Sequence, residues 1–130
     1  MEIAIKSDVG QRRTLNEDAA GYFLNTQNVP MIVVCDGIGG HNAGDVASAM
    51  ALSHLGKRWE EESITDTEAA YQWLVKNIQA ENDRIFQKAN QYRELDGMGT
   101  TIVVAVVIGS ELLIANVGDS RAYLYRNFQI

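Results

Sequence analysis

The sequence predicts an α+β domain in which an antiparallel sheet carries helices packed on a face. Three observations predict this class: short runs rich in apolar residues near both ends of the chain, two long helical patterns between them, and a two-residue hairpin loop at Gly109-Ser110. Because strands come before and after the helices, a sheet with strands and helices in strict alternation is not expected. The chain has 130 residues, 46% of them hydrophobic, which suffices for one core and not for two.

Three strands are predicted before the helices. In the first, Ile3 and Ile5 alternate with less apolar neighbours, which is typical of a half-buried strand. The second covers residues 18–24. The third covers the continuous apolar run 31–35, as expected of a strand covered on both faces. The only proline lies between the second and third strands, in a connecting turn.

Two helices follow. Apolar residues recur at helical spacing from Val46 to Trp59 and again from Ala70 to Ala89. Residues 65–68 supply N-cap candidates and acidic side chains for the first turn of the second helix. The helices are therefore expected to be separate elements joined by a short loop.

The C-terminal part of the chain returns to strands. Residues 100–108 are rich in β-branched side chains and are expected to pair with residues 112–117 across the hairpin loop. A turn at 118–120 and a further strand beginning at 122–125 are predicted to follow.

The chain is acidic, with 17 Asp and Glu against 11 Lys and Arg, for a net charge of −6. Binding to nucleic acid or to an anionic membrane needs basic residues, so neither partner is expected, whereas carboxylates suit divalent cations. Cys35 is the only cysteine, which excludes a disulfide framework and favours a small core residue. Neither a signal-peptide pattern nor a bilayer-spanning apolar run is apparent, so we expect a soluble cytoplasmic protein.

The most informative segment runs from Val33 to Gly44. An apolar strand ends in Asp36, and four glycines follow within eight residues. Packing beneath such a strand end holds the carboxylate rigidly, and the glycines leave the Gly37 carbonyl free to act as an oxygen ligand. The alternative is a glycine-rich turn with a solvated aspartate. The spacings of a P-loop and of a dinucleotide fingerprint both fail, and no arginine follows Cys35 as a thiol phosphatase would require.

Two further strand ends carry acids. Glu17 and Asp18 adjoin a short distance after Arg13, and adjacent carboxylates repel each other unless a cation or a proton lies near them. An arginine in the same loop could clamp a phosphate. Asp119 follows the strand of the hairpin. Each segment alone could be a polar surface turn, but three strand ends with an acid suit Mg²⁺ or Mn²⁺, which acidify bound water and hold phosphoryl oxygens.

The two histidines have different expected roles. His41 could protonate a leaving oxygen, or it could be a loop residue without a catalytic role. His54 lies within the first predicted helix and is expected to be structural.

Four motifs together resemble those of the PPM family, the metal-dependent (type 2C) serine/threonine protein phosphatases, and especially its bacterial members. They are, in chain order, Arg13-Thr14-Leu15-Asn16-Glu17-Asp18, Asp36-Gly37-Ile38-Gly39-Gly40-His41, Gly99-Thr100-Thr101 and Asn116-Val117-Gly118-Asp119-Ser120-Arg121. The resemblance covers essentially the whole chain. It implies a β-sandwich flanked by helix pairs, of which residues 1–130 would be the N-terminal portion of a single catalytic domain.

The resemblance also implies a metal site. Asp36 would bridge two Mn²⁺ or Mg²⁺ ions, and the Gly37 carbonyl would ligate one of them. Glu17 and Asp18 would act close to the ions, largely through bound water, and Asp119 would contribute to a third, weaker site. Further metal-ligating aspartates would come from a C-terminal half.

The implied reaction is direct attack of a metal-activated water on phosphoserine or phosphothreonine, with Arg13 binding the substrate phosphate. Phosphoproteins, including a Ser/Thr kinase, would be the partners. Many eukaryotic members have a histidine directly after the Asp-Gly pair. This chain has Ile38 there, and His41 is the remaining candidate acid.

Half of a sandwich would expose apolar sheet edges and faces. We therefore expect the isolated chain to dimerise, to exchange strands or to be marginally stable, and to be inactive or impaired. Two other functions stay open at this point: a non-catalytic pseudophosphatase or interaction module with the same fold, and a nucleotide-binding α/β domain. The failed phosphate-loop spacings and the antiparallel hairpins disfavour the second of these.

Overall fold

The computed structural model describes residues 1–39 and 43–130. Its regular elements within these ranges are β1 Asp18–Leu24, β2 Pro30–Ile38, α1 Gly44–Glu60, α2 Thr67–Gln91, a short 3-10 helix Arg93–Leu95, β3 Gly99–Thr100, β4 Ile102–Ile108 and β5 Glu111–Val117. The predicted order of strands, two helices and strands is therefore confirmed for the elements from residue 18 to residue 117.

The strands form one antiparallel sheet. The spatial order is β1-β2-β4-β5, and β3 pairs with the C-terminal end of β2. β4 and β5 are joined by the predicted two-residue loop, where Gly109 has φ +59°. Tight hairpin loops require positive φ, and glycine adopts it without steric cost. Because each strand pairs antiparallel with its neighbours, the α+β class is confirmed.

Both helices pack on one face of this sheet. α1 lies against β1 and β2, and α2 lies against α1 and β5. The Asp66 side chain caps α2 by accepting a hydrogen bond from the Ala69 amide at 3.2 Å, as the sequence predicts. No helix of the described residues combines the length and the apolar character needed to cross a membrane.

The core lies between the sheet and the helices. Alternate residues of β2, namely Met31, Val33 and Cys35, have no exposed surface. At the C-terminal end of α1, Trp59 is also fully buried, and its indole N–H donates to the Val29 carbonyl at 2.9 Å. The prediction that Cys35 is a core residue is confirmed, and burial raises the pKa of its thiol to about 12.

The opposite face of the sheet is largely uncovered and also apolar. Tyr22, Val34, Leu112 and Ile114 project from β1, β2 and β5 and are between 43% and 47% exposed. The described residues form one layer of strands, and they supply no second sheet to cover this face. The expected exposure of apolar sheet surface is thereby confirmed, while self-association of the chain stays a prediction.

Two predicted strands are wrong. Residues 2–6 form no strand, although residues 4–8 line a small cavity beside β1 and β2. Residues 122–125 also form none, and only an isolated bridge joins Arg126 to Gln129. Alternation of apolar and polar residues shows which side chains could be buried, but a strand exists only where a neighbour accepts its hydrogen bonds. Within the described parts of the chain, neither segment pairs with an edge of the sheet.

Candidate functional site

Two aspartates face each other on neighbouring strands. Asp18 opens β1, and its partner in the antiparallel register is Asp36, near the end of β2. Residues directly opposite in such a pair project to the same face, with Cβ atoms roughly 4.5–5.5 Å apart. This is the face turned away from the helices, and both side chains are exposed on it.

The pKa of Asp36 is raised. Its partial desolvation is the largest cause, followed by hydrogen bonding with the Asp18 carboxyl and by the negative charges of Asp18 and Asp119. The positive charge of Arg13 acts in the opposite direction. Asp18, Asp119 and Arg13 are therefore close enough to Asp36 to affect its pKa, and a metal site shared by the three acidic strand ends stays a prediction.

Gly37 has a steric role at this site. A Cβ atom added to Gly37 would lie 2.1 Å from the Gly44 carbonyl oxygen, at the start of α1. A Cβ atom added to Gly44 would in turn lie 2.8 Å from the Gly37 carbonyl carbon. Only glycine at both positions lets the backbone of α1 approach the end of β2 so closely. The structure thus explains Gly37 by packing, and ligation of a metal by its carbonyl stays a prediction.

Glu17 is held through its own backbone. Its carbonyl accepts hydrogen bonds from the Gly37 amide at 3.1 Å and from the Ser48 hydroxyl at 2.6 Å. Its carboxylate lies next to Gly44, since the Oε2 atom would be 3.0 Å from a Cβ added there. The N-terminal end of a helix favours acidic residues, so a glutamate is well placed at this position.

Two hydroxyl groups support the site: the sequence pointed to no role for Ser48, and it placed Thr101 in a motif without indicating what its hydroxyl does. Ser48 is almost completely buried on the sheet-facing side of α1. Thr101 is buried beside Asp36, whose amide donates to the Thr101 hydroxyl at 3.1 Å. A polar residue inside an apolar helical stripe was the available signal for Ser48, whereas the Thr101 contact depends on strand register.

The remaining site candidates are distributed as follows. Arg13 is exposed in the loop before β1, where its charge reaches Asp36. His41 lies outside the described residues. His54 fits the structural role expected for it, because its Nδ1 atom lies 2.7 Å from a carboxylate oxygen of Glu81 and joins α1 to α2. Arg84 binds the same buried carboxylate at 3.0 Å.

The carboxylates of Asp18 and Asp36 could form part of a metal site. Among residues 1–39 and 43–130, no group of three or more His, Cys, Asp or Glu side chains is arranged to hold a metal ion. The opposed carboxylates of Asp18 and Asp36 offer hard oxygen donors, which suit Mg²⁺ and Mn²⁺. Desolvation is the largest cause of the raised pKa of Asp36, and a cation between the two carboxylates would offset the additional contribution from the negative charge of Asp18.

Comparisons with known proteins agree on one family. Residues 10–129 match the family model described as protein phosphatase 2C. The serine/threonine phosphatase stp of Listeria monocytogenes serovar 1/2a is 45% identical over 128 residues, which are 98% of this chain and 51% of that protein. The chain therefore spans about half the length of the curated relatives that it matches.

Solved structures show the same likeness. The serine/threonine phosphatase Stp1 from Staphylococcus aureus superimposes with a TM-score of 0.88 at 45% identity, over 92% of this chain and 47% of that one. The catalytic domain of the serine threonine protein phosphatase PstP, in complex with two manganese ions, superimposes with a TM-score of 0.78. The two sequences are 32% identical, and the match covers 95% of this chain and 50% of that one. Because residues 10–129 of the 130 match the family model, the chain belongs to the protein phosphatase 2C family.

Proposed function

We propose that the protein hydrolyses phosphoserine and phosphothreonine in other proteins, with Mn²⁺ or Mg²⁺ bound beside Asp18 and Asp36. The observation that carries this proposal is the direct opposition of the two aspartates in the β1–β2 register, with Asp119 and Arg13 near enough to affect the pKa of Asp36. Relatives that match almost all of this chain are named serine/threonine phosphatases, which supports the same reaction.

Asp36 and Asp18, together with the Gly37 carbonyl, are the residues that would hold the cations, and Asp119 would serve a further ion. When bound, such ions acidify water and offset the charge of a phosphoryl group. The structure of PstP, a relative, contains two manganese ions, which supports the choice of a divalent cation as the ligand. Oxygen donors alone do not discriminate Mn²⁺ from Mg²⁺, and we propose that either ion serves.

The other side chains would act on the substrate and on protons. The Arg13 guanidinium, on its exposed loop, can bind two phosphate oxygens with its planar fork. Glu17, held by its backbone next to the start of α1, would accept a hydrogen bond from a water near the cations. His41 is our candidate donor of a proton to the leaving oxygen.

Phosphoproteins are the proposed substrates, and a Ser/Thr kinase that opposes the reaction is the natural partner. The net charge of −6 disfavours nucleic acid as a ligand. We place the protein in the cytoplasm, in phosphorylation-based signalling. Since the relatives are about twice as long, residues 1–130 would supply one part of the catalytic site, with the remaining aspartates carried by a C-terminal half.

The test is Mn²⁺-dependent release of phosphate from a phosphothreonine peptide by the full-length protein and by residues 1–130. We expect activity in the first and little or none in the second. Asp36→Asn should abolish turnover, whereas Asp83→Asn, a change of the same chemistry on the exposed surface of α2, should leave it intact.

Two results would contradict the proposal. Full turnover by Asp36→Asn would show that the opposed carboxylates are not the site. A full-length protein that binds Mn²⁺ but releases no phosphate would point to the non-catalytic module instead.

A further inference from the structure

We propose that Thr101 is a positioning residue that holds the strand end carrying Asp36 and the turn carrying Asp119 in one fixed geometry, through a hydroxyl bridge to Ser120. The inference deepens the proposed function and rests on it, because it concerns how the two metal-binding carboxylates keep their relative position.

The strand register determines which residue faces Asp36. Gly37 pairs with Thr100, and Val34 pairs with Val103, so Thr101 is the residue opposite Asp36. Two residues opposite each other at such a position normally exchange two main-chain hydrogen bonds. The Thr101 amide makes one of them, to the Asp36 carbonyl, at 2.9 Å.

A side-chain hydrogen bond takes the place of the second main-chain bond, in which the Asp36 amide would donate to the Thr101 carbonyl. The Asp36 amide donates to the Thr101 hydroxyl at 3.1 Å, and the Thr100 hydroxyl donates to the Thr101 carbonyl at 2.8 Å. The backbone of Asp36 is therefore held on both sides by Thr101, once through its amide and once through its hydroxyl. A hydroxyl has two acceptor positions and one hydrogen, so this contact leaves it able to bond again.

The second contact of the same oxygen reaches the turn after β5. The hydroxyl oxygens of Thr101 and Ser120 are 2.5 Å apart, and Thr101 is only 2% exposed. The Asn116 side-chain amide donates to the Ser120 carbonyl, which ties the turn back to β5. Asp119 immediately precedes Ser120 in this turn, so a single buried hydroxyl joins the carriers of Asp36 and Asp119.

The methyl group of Thr101 packs against the same turn. Gly118, at the start of the turn, has φ +104°, and a Cβ atom added there would lie 2.7 Å from the Thr101 Cγ2 atom. The turn therefore packs directly on the methyl group that stands beside the bridging hydroxyl. Serine would keep the bridge and lose this packing, and valine would keep most of the packing and lose the bridge.

The experiment compares Thr101→Val with Thr101→Ser in the full-length protein, with Thr65→Val in the exposed loop before α2 as the control. Without metal, hydrogen exchange of the Asp36 amide should accelerate in Thr101→Val and stay slow in Thr101→Ser, because only valine leaves this amide without an acceptor. In calorimetric Mn²⁺ titrations, Thr101→Val should weaken binding by about tenfold, as is found when hydrogen-bond partners of metal ligands are removed. Thr101→Ser and Thr65→Val should bind nearly as the wild type does.

Ser120→Ala breaks the bridge from the other side and serves if Thr101→Val folds poorly. It should also weaken Mn²⁺ binding, and it should have no further effect in the Thr101→Val background, because the bridge that it breaks is already absent there. Additive effects, equal weakening by the Ser and Val variants, or unchanged Mn²⁺ binding in Ser120→Ala would each overturn the inference.

The proposed function fails in a different way. If the wild-type protein released no phosphate but still bound Mn²⁺ with the expected dependence on Thr101, the catalytic proposal would be wrong and the bridge would stand. If it released phosphate and Thr101→Val matched the wild type in amide exchange and Mn²⁺ binding, only the bridge would be wrong.

Discussion

Alternate residues of β2 meet two different environments. Met31, Val33 and Cys35 point towards the helices and have no exposed surface, whereas Val34 and Ile38 on the other face are 44% and 57% exposed. Asp36 belongs to this second face. We therefore expect the covered face to contribute most of the stability, while the open face carries Asp36 and an apolar surface that the described residues leave uncovered.

The largest expected effect belongs to the covered face. Trp59→Ala should lower the free energy of unfolding by about 3–5 kcal/mol, because it empties a large buried site and removes the donor that pairs with the Val29 carbonyl. Trp59→Phe should cost about half as much, since it keeps most of the packing. Urea unfolding followed by circular dichroism measures both. If Trp59→Ala unfolded at the same free energy as the wild type, the helix-facing core would not be the main source of stability.

A matched pair on adjacent residues tests the comparison directly. Val33→Ala removes fully buried methyl groups and should cost about 2 kcal/mol, whereas Val34→Ala removes partly exposed ones and should cost about 0.5 kcal/mol. Both variants should be measured by urea unfolding in residues 1–130. If Val34→Ala cost as much as Val33→Ala, the open face would be covered in solution.

The open face should also govern self-association of residues 1–130. Leu112→Lys places a charge among the exposed apolar residues of this face and should shift the chain towards monomer in sedimentation velocity. The control is Phe86→Lys, which alters an exposed aromatic residue beside the groove between α2 and β5. A shift with Phe86→Lys alone would place the self-association on the helix layer.

The smallest expected effect is on the chemical reactivity of the Cys35 thiol, which has little influence on the free energy of unfolding at neutral pH. Burial raises the pKa of the Cys35 thiol to about 12, so iodoacetamide should label the native chain very slowly at pH 8 and the urea-unfolded chain rapidly. Because the raised pKa belongs to the folded state, the stability linked to this thiol is present below the ordinary thiol pKa of 9.0 and is lost as the pH rises towards 12. Rapid labelling of the native chain would mean that β2 opens readily.

Local patterns predicted much of this fold. The apolar periodicity located both helices, Asp66 was among the cap candidates, and Gly109-Ser110 identified the hairpin. These features depend on residues close together in the chain. The strands predicted at 2–6 and 122–125 failed for the opposite reason, since a strand needs a partner whose position local alternation does not specify.

The residues of the candidate site also differ in how far the sequence revealed them. The motifs identified Arg13, Asp18, Asp36 and Asp119 as candidates, because charged residues next to the ends of apolar strands stand out in a sequence. They did not reveal the support of the site by hydroxyl groups. Nothing near Thr101 in the chain indicates that its side chain replaces a main-chain acceptor for a residue 65 positions away.

Local patterns were enough to locate the charged groups of the candidate site and to place the helices and the hairpin. The opposition of Asp18 and Asp36, and the buried hydroxyl that joins two strand ends, depend instead on how the strands pair in the folded chain. Side chains alternate between the two faces of a strand, so shifting the register by one position would turn every side chain to the other face, and register is set by partners distant in sequence.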